Sequence, residues 1–250
     1  MPLRLICVGG ARPNFMKLAP LVRELRQDPD FAVGLVHPGQ HYDENMSAAF
    51  FRELEIPRPD PPLEVGSGSN AQQAAEIMKR IEPVILAERP AAVLVVGDVN
   101  STLAAALVAG KLGVKVIHVE AGLRSFDRTM PEEINRVVTD SITDLFLVTE
   151  DSGRRNLLRE GVSPDAIELV GNLMIDSLRA NLARAQQESR IRERLQLNGN
   201  AYGLVTLHRP ANVDDSTQLA GILDALRVIG DAVPLVFPVH PRTETRMREM

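Results

Sequence analysis

Apolar residues fall along the chain in short continuous runs: Leu3–Val8, Ala32–Val36, Ala92–Val96, Lys115–Val119, Asp144–Val148, Ile167–Val170, Leu204–Leu207 and Leu235–Val239. Between most of them the apolar positions change to helical spacing. Asn14–Arg26 places Leu18, Leu21, Val22 and Leu25 on one face, and Asn70–Glu88, Ser101–Leu112, Glu132–Ser141 and Asp151–Glu160 follow the same period. An unbroken apolar run suits a strand whose sheet is covered on both faces, and alternation with helices makes neighbouring strands parallel. With right-handed crossovers this pattern predicts an α/β fold built on a doubly wound, Rossmann-like parallel sheet.

The rhythm changes after Gly171-Asn172. A long polar helical stretch, roughly Met174 to Gln196, runs into the turn Asn198-Gly199-Asn200, and strands resume at Leu204. Residues 1–172 therefore read as an amino-terminal Rossmann-like domain, 173–198 as a linker helix, and 199–250 as the start of a second domain. A couple of strands is too few for an independent core, so the chain reads as truncated at Met250.

Composition narrows the function classes. Of 250 residues 44% are hydrophobic and 24% charged, as in an ordinary globular protein, and the net charge of -5 argues against a nucleic-acid or membrane-surface binder. Cys7 is the single cysteine and sits in an apolar strand, which suits a packed small hydrophobe and forbids an intrachain disulfide. The run Leu5–Val8 is too short for a signal-peptide core, nothing approaches a membrane span of about 20 apolar residues, and a cytoplasmic location is expected.

In open α/β sheets ligands bind beyond the carboxyl ends of the strands, so the residues after each strand carry the chemistry. The first strand releases Gly9-Gly10-Ala11-Arg12-Pro13-Asn14, with Lys17 on the helix, and the second His37-Pro38-Gly39-Gln40-His41. The third releases Gly97-Asp98 and the fourth Glu120, followed by Arg124, Arg128, Glu132, Glu133 and Arg136. The seventh and eighth run into His208-Arg209 and His240-Pro241-Arg242.

The first loop is a glycine turn at a helix amino terminus, which suits an anion, but it has neither the Gly-x-Gly-x-x-Gly spacing nor a Walker lysine. Asp98 is either a functional carboxylate or an acid serving the next helix, for which Ser101 and Thr102 are equally good caps. Val116, His118 and Glu120 share a strand face by period two, and His118 reads as a hydrogen-bonded supporting residue. A zinc deaminase would need a Pro-Cys-x-x-Cys that a single cysteine cannot supply. Glu132 and Glu133 suit a helix first turn, and Arg136 suits an i,i+4 ion pair with Glu132.

These landmarks are GARPNFMKLAPL (10 to 21), GQHYDENMS (39 to 47), GDVNSTLAAAL (97 to 107), HVEAGLRS (118 to 125), MPEEINR (130 to 136), VGNLMID (170 to 176), TLHRPANVDD (206 to 215) and PVHPRT (238 to 243). In this order they resemble the non-hydrolysing UDP-N-acetylglucosamine 2-epimerases. The resemblance implies a GT-B-like pair of Rossmann-like domains. It also implies interconversion of UDP-GlcNAc and UDP-ManNAc by elimination and re-addition of UDP, with no cofactor or metal.

Carried over position by position, it makes Asp98, Glu120, Glu132 and His208 catalytic candidates. Arg12, Lys17, Gln40, His41, Arg136 and His240 become substrate-binding candidates, and a homodimer is implied. Ala211 departs from the glutamate usual in the family, whose Asp-Ser-Gly-Gly loop would lie past Met250. The competing readings are a hydrolysing relative releasing UDP and ManNAc, a 2-epimerase of a modified UDP-sugar, a GT-B glycosyltransferase, and a non-catalytic nucleotide-sugar-binding module.

Overall fold

The computed structural model describes residues 1–10, 12–39, 54, 63–66, 68–197, 199 and 201–250. These form two compact units, Met1–Leu182 and Ala183–Met250.

In the first unit the strands β1 (Leu3–Val8), β2 (Phe31–Val36), β3 (Ala92–Val96), β4 (Lys115–Val119), β5 (Leu145–Val148) and β6 (Ile167–Leu169) form one parallel sheet in the order β2-β1-β3-β4-β5-β6. Between and after them run α1 (Arg12–Gln27), α2 (Asn70–Glu88), α3 (Asn100–Lys111), α4 (Pro131–Ser141) and α5 (Asp151–Arg159), and α6 (Leu173–Glu188) runs across the division at Leu182. Strand order reverses direction between β1 and β3, so the chain ends of these two strands flank the crevice of a doubly wound sheet.

Period-two alternation divides the core between the faces. Ile6, Val8, Val93 and Val95 pack with Ile77, Ile81 and Ile85 of α2 and the alanines of α3. Cys7, Leu94 and Val96 point the other way, against Phe15, Leu18 and Val22 of α1. Burial pushes the Cys7 thiol up to about 12 and overcomes the opposing charge of Arg26, so Cys7 is the packed hydrophobe its position suggested. Helix α2 begins at a capping box in which Ser69 Oγ accepts from the Gln72 amide and the Gln72 side chain accepts from the Ser69 amide.

The second unit carries a short helix α7 (Ile191–Arg194), the parallel strands β7 (Gly203–Leu204) and β8 (Leu235–Val236), and the helices α8 (Pro210–Val213), α9 (Ser216–Ala232) and α10 (Pro241–Glu249). Both strands are shorter than the runs Leu204–Leu207 and Leu235–Val239 suggest, because among the described residues each pairs only with the other and Leu204 is 71% exposed. The helical stretch expected from Met174 to Gln196 breaks at Ser189-Arg190. Among the described residues no helix is long and apolar enough to cross a membrane.

Candidate active site

The crevice between β1 and β3 is closed at its base by very close packing. A Cβ added to Gly10 would meet Ser101 Oγ at 1.9 Å, so the first loop lies directly on the start of α3. Asn14 Nδ2 reaches back from α1 to donate to Val96 O at 2.6 Å, and Thr102 Oγ1 donates to the same carbonyl at 2.8 Å. Thr102 thus serves the end of β3. Neither Ser101 nor Thr102 caps α3, whose N-cap residue is Val99 and which has no side-chain cap.

Above this base the expected residues converge in two ion pairs. Lys17 Nζ lies 2.5 Å from Glu120 Oε2, with side chains 16% and 12% exposed. Arg136 donates through Nε (3.0 Å) and Nη2 (2.6 Å) to Asp98 Oδ2. Gly97 adjoins both: it precedes Asp98 in the chain, and a Cβ placed on it would lie 3.6 Å from Glu120 Oε2 and from Lys17 Nζ. Its φ of +69° turns the chain sharply out of β3, a conformation that glycine adopts without steric cost.

Glu120 itself has φ +68°, which takes it out of the strand alternation expected to align it with Val116 and His118. Backbone N–H groups of Glu120 and Ala121 both donate to Leu147 O, which holds this reversal against β5.

Helix α4 supplies most of the support. Glu133, Arg136 and Asp140 lie on one face by their i, i+3, i+7 spacing. The ion pair expected between Arg136 and Glu132 is not made, because Arg136 turns inward to Asp98 and, through Nη1 at 2.8 Å, to Glu133. Asn135 Nδ2 adds a bond to Asp98 O at 2.8 Å. Glu132 points to solvent with no polar partner among the described residues, so only its neighbour Glu133 is engaged. Both acids suit a helix first turn by their position, but Glu133 is 2% exposed and organises the preceding loop.

Glu133 accepts from Ser125 N (2.9 Å), Ser125 Oγ (3.0 Å) and Phe126 N (3.0 Å). Burial disfavours its charge, but these donors and Arg136 outweigh burial and hold the carboxyl at about 2 against an ordinary 4.5. A depressed folded value stabilises the fold above the unfolded value and ceases to do so as pH falls through the folded one. Urea unfolding from about pH 5 downward should therefore show the stability advantage of the native sequence over Glu133→Gln shrinking between 4.5 and about 2. A gap independent of pH would contradict this assignment.

His118 is fully buried, as a supporting residue should be, with Nε2 donating to Gly97 O (2.8 Å) and Nδ1 hydrogen-bonded to Asp140 Oδ1 (2.6 Å). His37 also has a packing role: Nδ1 donates to Gly9 O at 2.8 Å, its ring meets Phe15 edge-on, and burial lowers its pKa against the pull of that bond.

In the second unit His208 and His240 are neighbours, with ring centroids 5.9 Å apart. His208 follows β7 by several residues, not directly as expected, and His240 Nδ1 caps α10 by accepting from Arg242 N at 3.2 Å. The Arg12 side chain, Gln40 and His41 lie outside the described residues.

A sequence model of the UDP-N-acetylglucosamine 2-epimerase family matches residues 23–250. The chain is 45% identical over 242 residues to a UDP-N-acetylglucosamine 2-epimerase homolog of Methanococcus maripaludis, covering 96% of this chain and 66% of that protein. It is 40% identical over 244 residues to the UDP-2,3-diacetamido-2,3-dideoxy-D-glucuronate 2-epimerase of Pseudomonas aeruginosa, covering 96% and 68%. It superimposes with a TM-score of 0.86 and 41% identity on the Methanocaldococcus jannaschii UDP-GlcNAc 2-epimerase solved in complex with UDP-GlcNAc and UDP, covering 99% and 68%. The chain thus spans about two thirds of the length of such relatives. A parallel sheet with paired acids and cations at its switch point, carried by a sequence this similar along nearly its whole length, makes the chain a member of the UDP-N-acetylglucosamine 2-epimerase family.

Proposed function

We propose that the protein to which this chain belongs interconverts UDP-N-acetylglucosamine and UDP-N-acetylmannosamine. In this reading residues 1–172 are the amino-terminal domain and 199–250 the start of a second nucleotide-binding domain. The observation that carries the proposal is the arrangement at the ends of β3 and β4, where Asp98 and Glu120 are each paired with a cation beside Gly97.

The C2 proton of the sugar is weakly acidic, so its removal is coupled to loss of a good leaving group. One positioned base takes the proton while the C1–O bond to UDP breaks, giving 2-acetamidoglucal and UDP. UDP then re-adds at C1 as C2 receives a proton on the other face. Two acid/base groups serve this sequence, and Asp98, Glu120 and the unpaired Glu132 are the candidates. Lys17 and Arg136 would offset charge on the departing diphosphate; by resemblance His208 is a catalytic and His240 a substrate-binding candidate.

Turnover of UDP-GlcNAc by the full-length protein in deuterated water tests the reading. The expected product is UDP-ManNAc carrying solvent deuterium at C2; free ManNAc with UDP would show a hydrolysing enzyme, and protium retained at C2 would sink the mechanism. The similarity to the Pseudomonas protein supports a second substrate reading. Faster turnover of UDP-2,3-diacetamido-2,3-dideoxy-D-glucuronate in a parallel assay would establish it.

A further inference from the structure

Asp140 lies in the last turn of α4 and is 4% exposed, with no direct bond to any candidate acid. Its two oxygens nevertheless end on the supports of both. Oδ1 is hydrogen-bonded to His118 Nδ1 at 2.6 Å, and the other ring nitrogen of His118 donates to Gly97 O at 2.8 Å, within the peptide that leads into Asp98. Oδ2 accepts from Gly122 N at 3.0 Å, just past Glu120, and from Arg124 Nη1 at 2.7 Å. Arg124 is in turn held by Glu160 through Nε (2.9 Å) and Nη2 (2.7 Å), while Asn156 Nδ2 donates to Gly122 O at 2.9 Å.

One buried carboxylate thus joins the reversal after β3 to the reversal after β4. Both reversals have residues at positive φ, at Gly97, Glu120 and Gly122, and at Glu120, the non-glycine of the three, the chain is held by its neighbours and not by its own preference. Burying an acid, an imidazole and a guanidinium together is a poor way to gain stability, since an apolar cluster of similar volume does as well or better. What such a cluster provides is fixed direction.

The geometry points to Asp140 as a positioning residue that sets the separation and aim of Asp98 and Glu120. This inference rests on the epimerase reading. Asparagine can preserve the connections: its Nδ2–H donates to His118 Nδ1 in the tautomer that keeps Nε2–H on Gly97 O, and its Oδ1 accepts from Gly122 and Arg124. Alanine severs them all.

The test uses the full-length protein and the rate of deuterium incorporation at C2. Asp140→Ala should lower kcat by about tenfold or more in the folded fraction, with KM within about threefold, because misplacement of acid/base groups acts on the chemical step. Asp140→Asn should recover most of that loss. Asp144→Ala is the control: it removes an acid bonded to Lys115 (2.6 Å) and Val116 N (2.9 Å) at the start of β4, away from the candidate acids, and should leave kcat unchanged. Asp140→Ala with the kcat of Asp144→Ala, both measured on folded protein, would overturn the positioning role while leaving the epimerase intact. An unaltered protein that incorporates no deuterium would instead remove the epimerase reading, and this inference with it.

Discussion

Glu120→Gln in the full-length protein should lower the rate of C2 deuterium incorporation by about two to four orders of magnitude, the range over which a positioned acid or base contributes. The substitution is nearly isosteric, so the φ of +68° at this residue and the two amides donating to Leu147 O are retained. What disappears is the proton-accepting oxygen and the charge facing Lys17 at 2.5 Å. KM should move much less than kcat, because the lost interaction belongs to the chemical step. Circular dichroism of the variant separates this from unfolding. Turnover within about threefold of the unaltered protein would exclude Glu120 from proton transfer.

Gly122→Ala should destabilise the fold by about 3 kcal/mol or more. Gly122 has φ +76°, and a Cβ there would lie 2.4 Å from Gly153 O and 2.8 Å from Gly153 C, backbone atoms of α5. The Gly122 peptide cannot swing aside, since its N–H is held by Asp140 and its carbonyl by Asn156. Gly161→Ala supplies the comparison: φ is +89° but nothing lies within 4 Å of the added carbon, so it should cost only the backbone strain of about 1–2 kcal/mol. Urea midpoints for the two variants measure the difference. Equal losses would show that α5 gives way to the new methyl group.

The sheet was legible because buried parallel strands must be continuously apolar, and Ala92–Val96 is buried along its whole length. The loops gathered at its carboxyl edge were legible for the same topological reason. Glu120 was legible as a residue but not as a conformation. Period-two counting assumes extended backbone, and the left-handed reversal at this position is imposed by contacts with β5 that are distant in sequence.

Arg136 shows the limit of local rules: spacing offered it Glu132, but partners that become available only on folding, Asp98 and Glu133, outcompete a solvent-exposed one. Asp140 left no signal at all, since an isolated acid late in a helix has the appearance of surface. The apolar Ile134 and Val137 of the same helix are exposed, so alternation of polarity along α4 gives no warning that its polar face is the inward one. Only the placement of Glu133, Arg136 and Asp140 on a common inward ridge could have marked it.

That ridge makes α4 tolerant of changed side chains on its outer face and intolerant of changed length. Each residue advances the helix by about 100°, so one residue gained or lost between Arg136 and Asp140 would keep Arg136 on Asp98 while rotating the clamp on His118 and Gly122 away. Across descendants of this sequence, then, insertions and deletions should accumulate in the exposed loop before Pro131 and be excluded from the eight-residue interval between Glu133 and Asp140, even where the amino acids there drift.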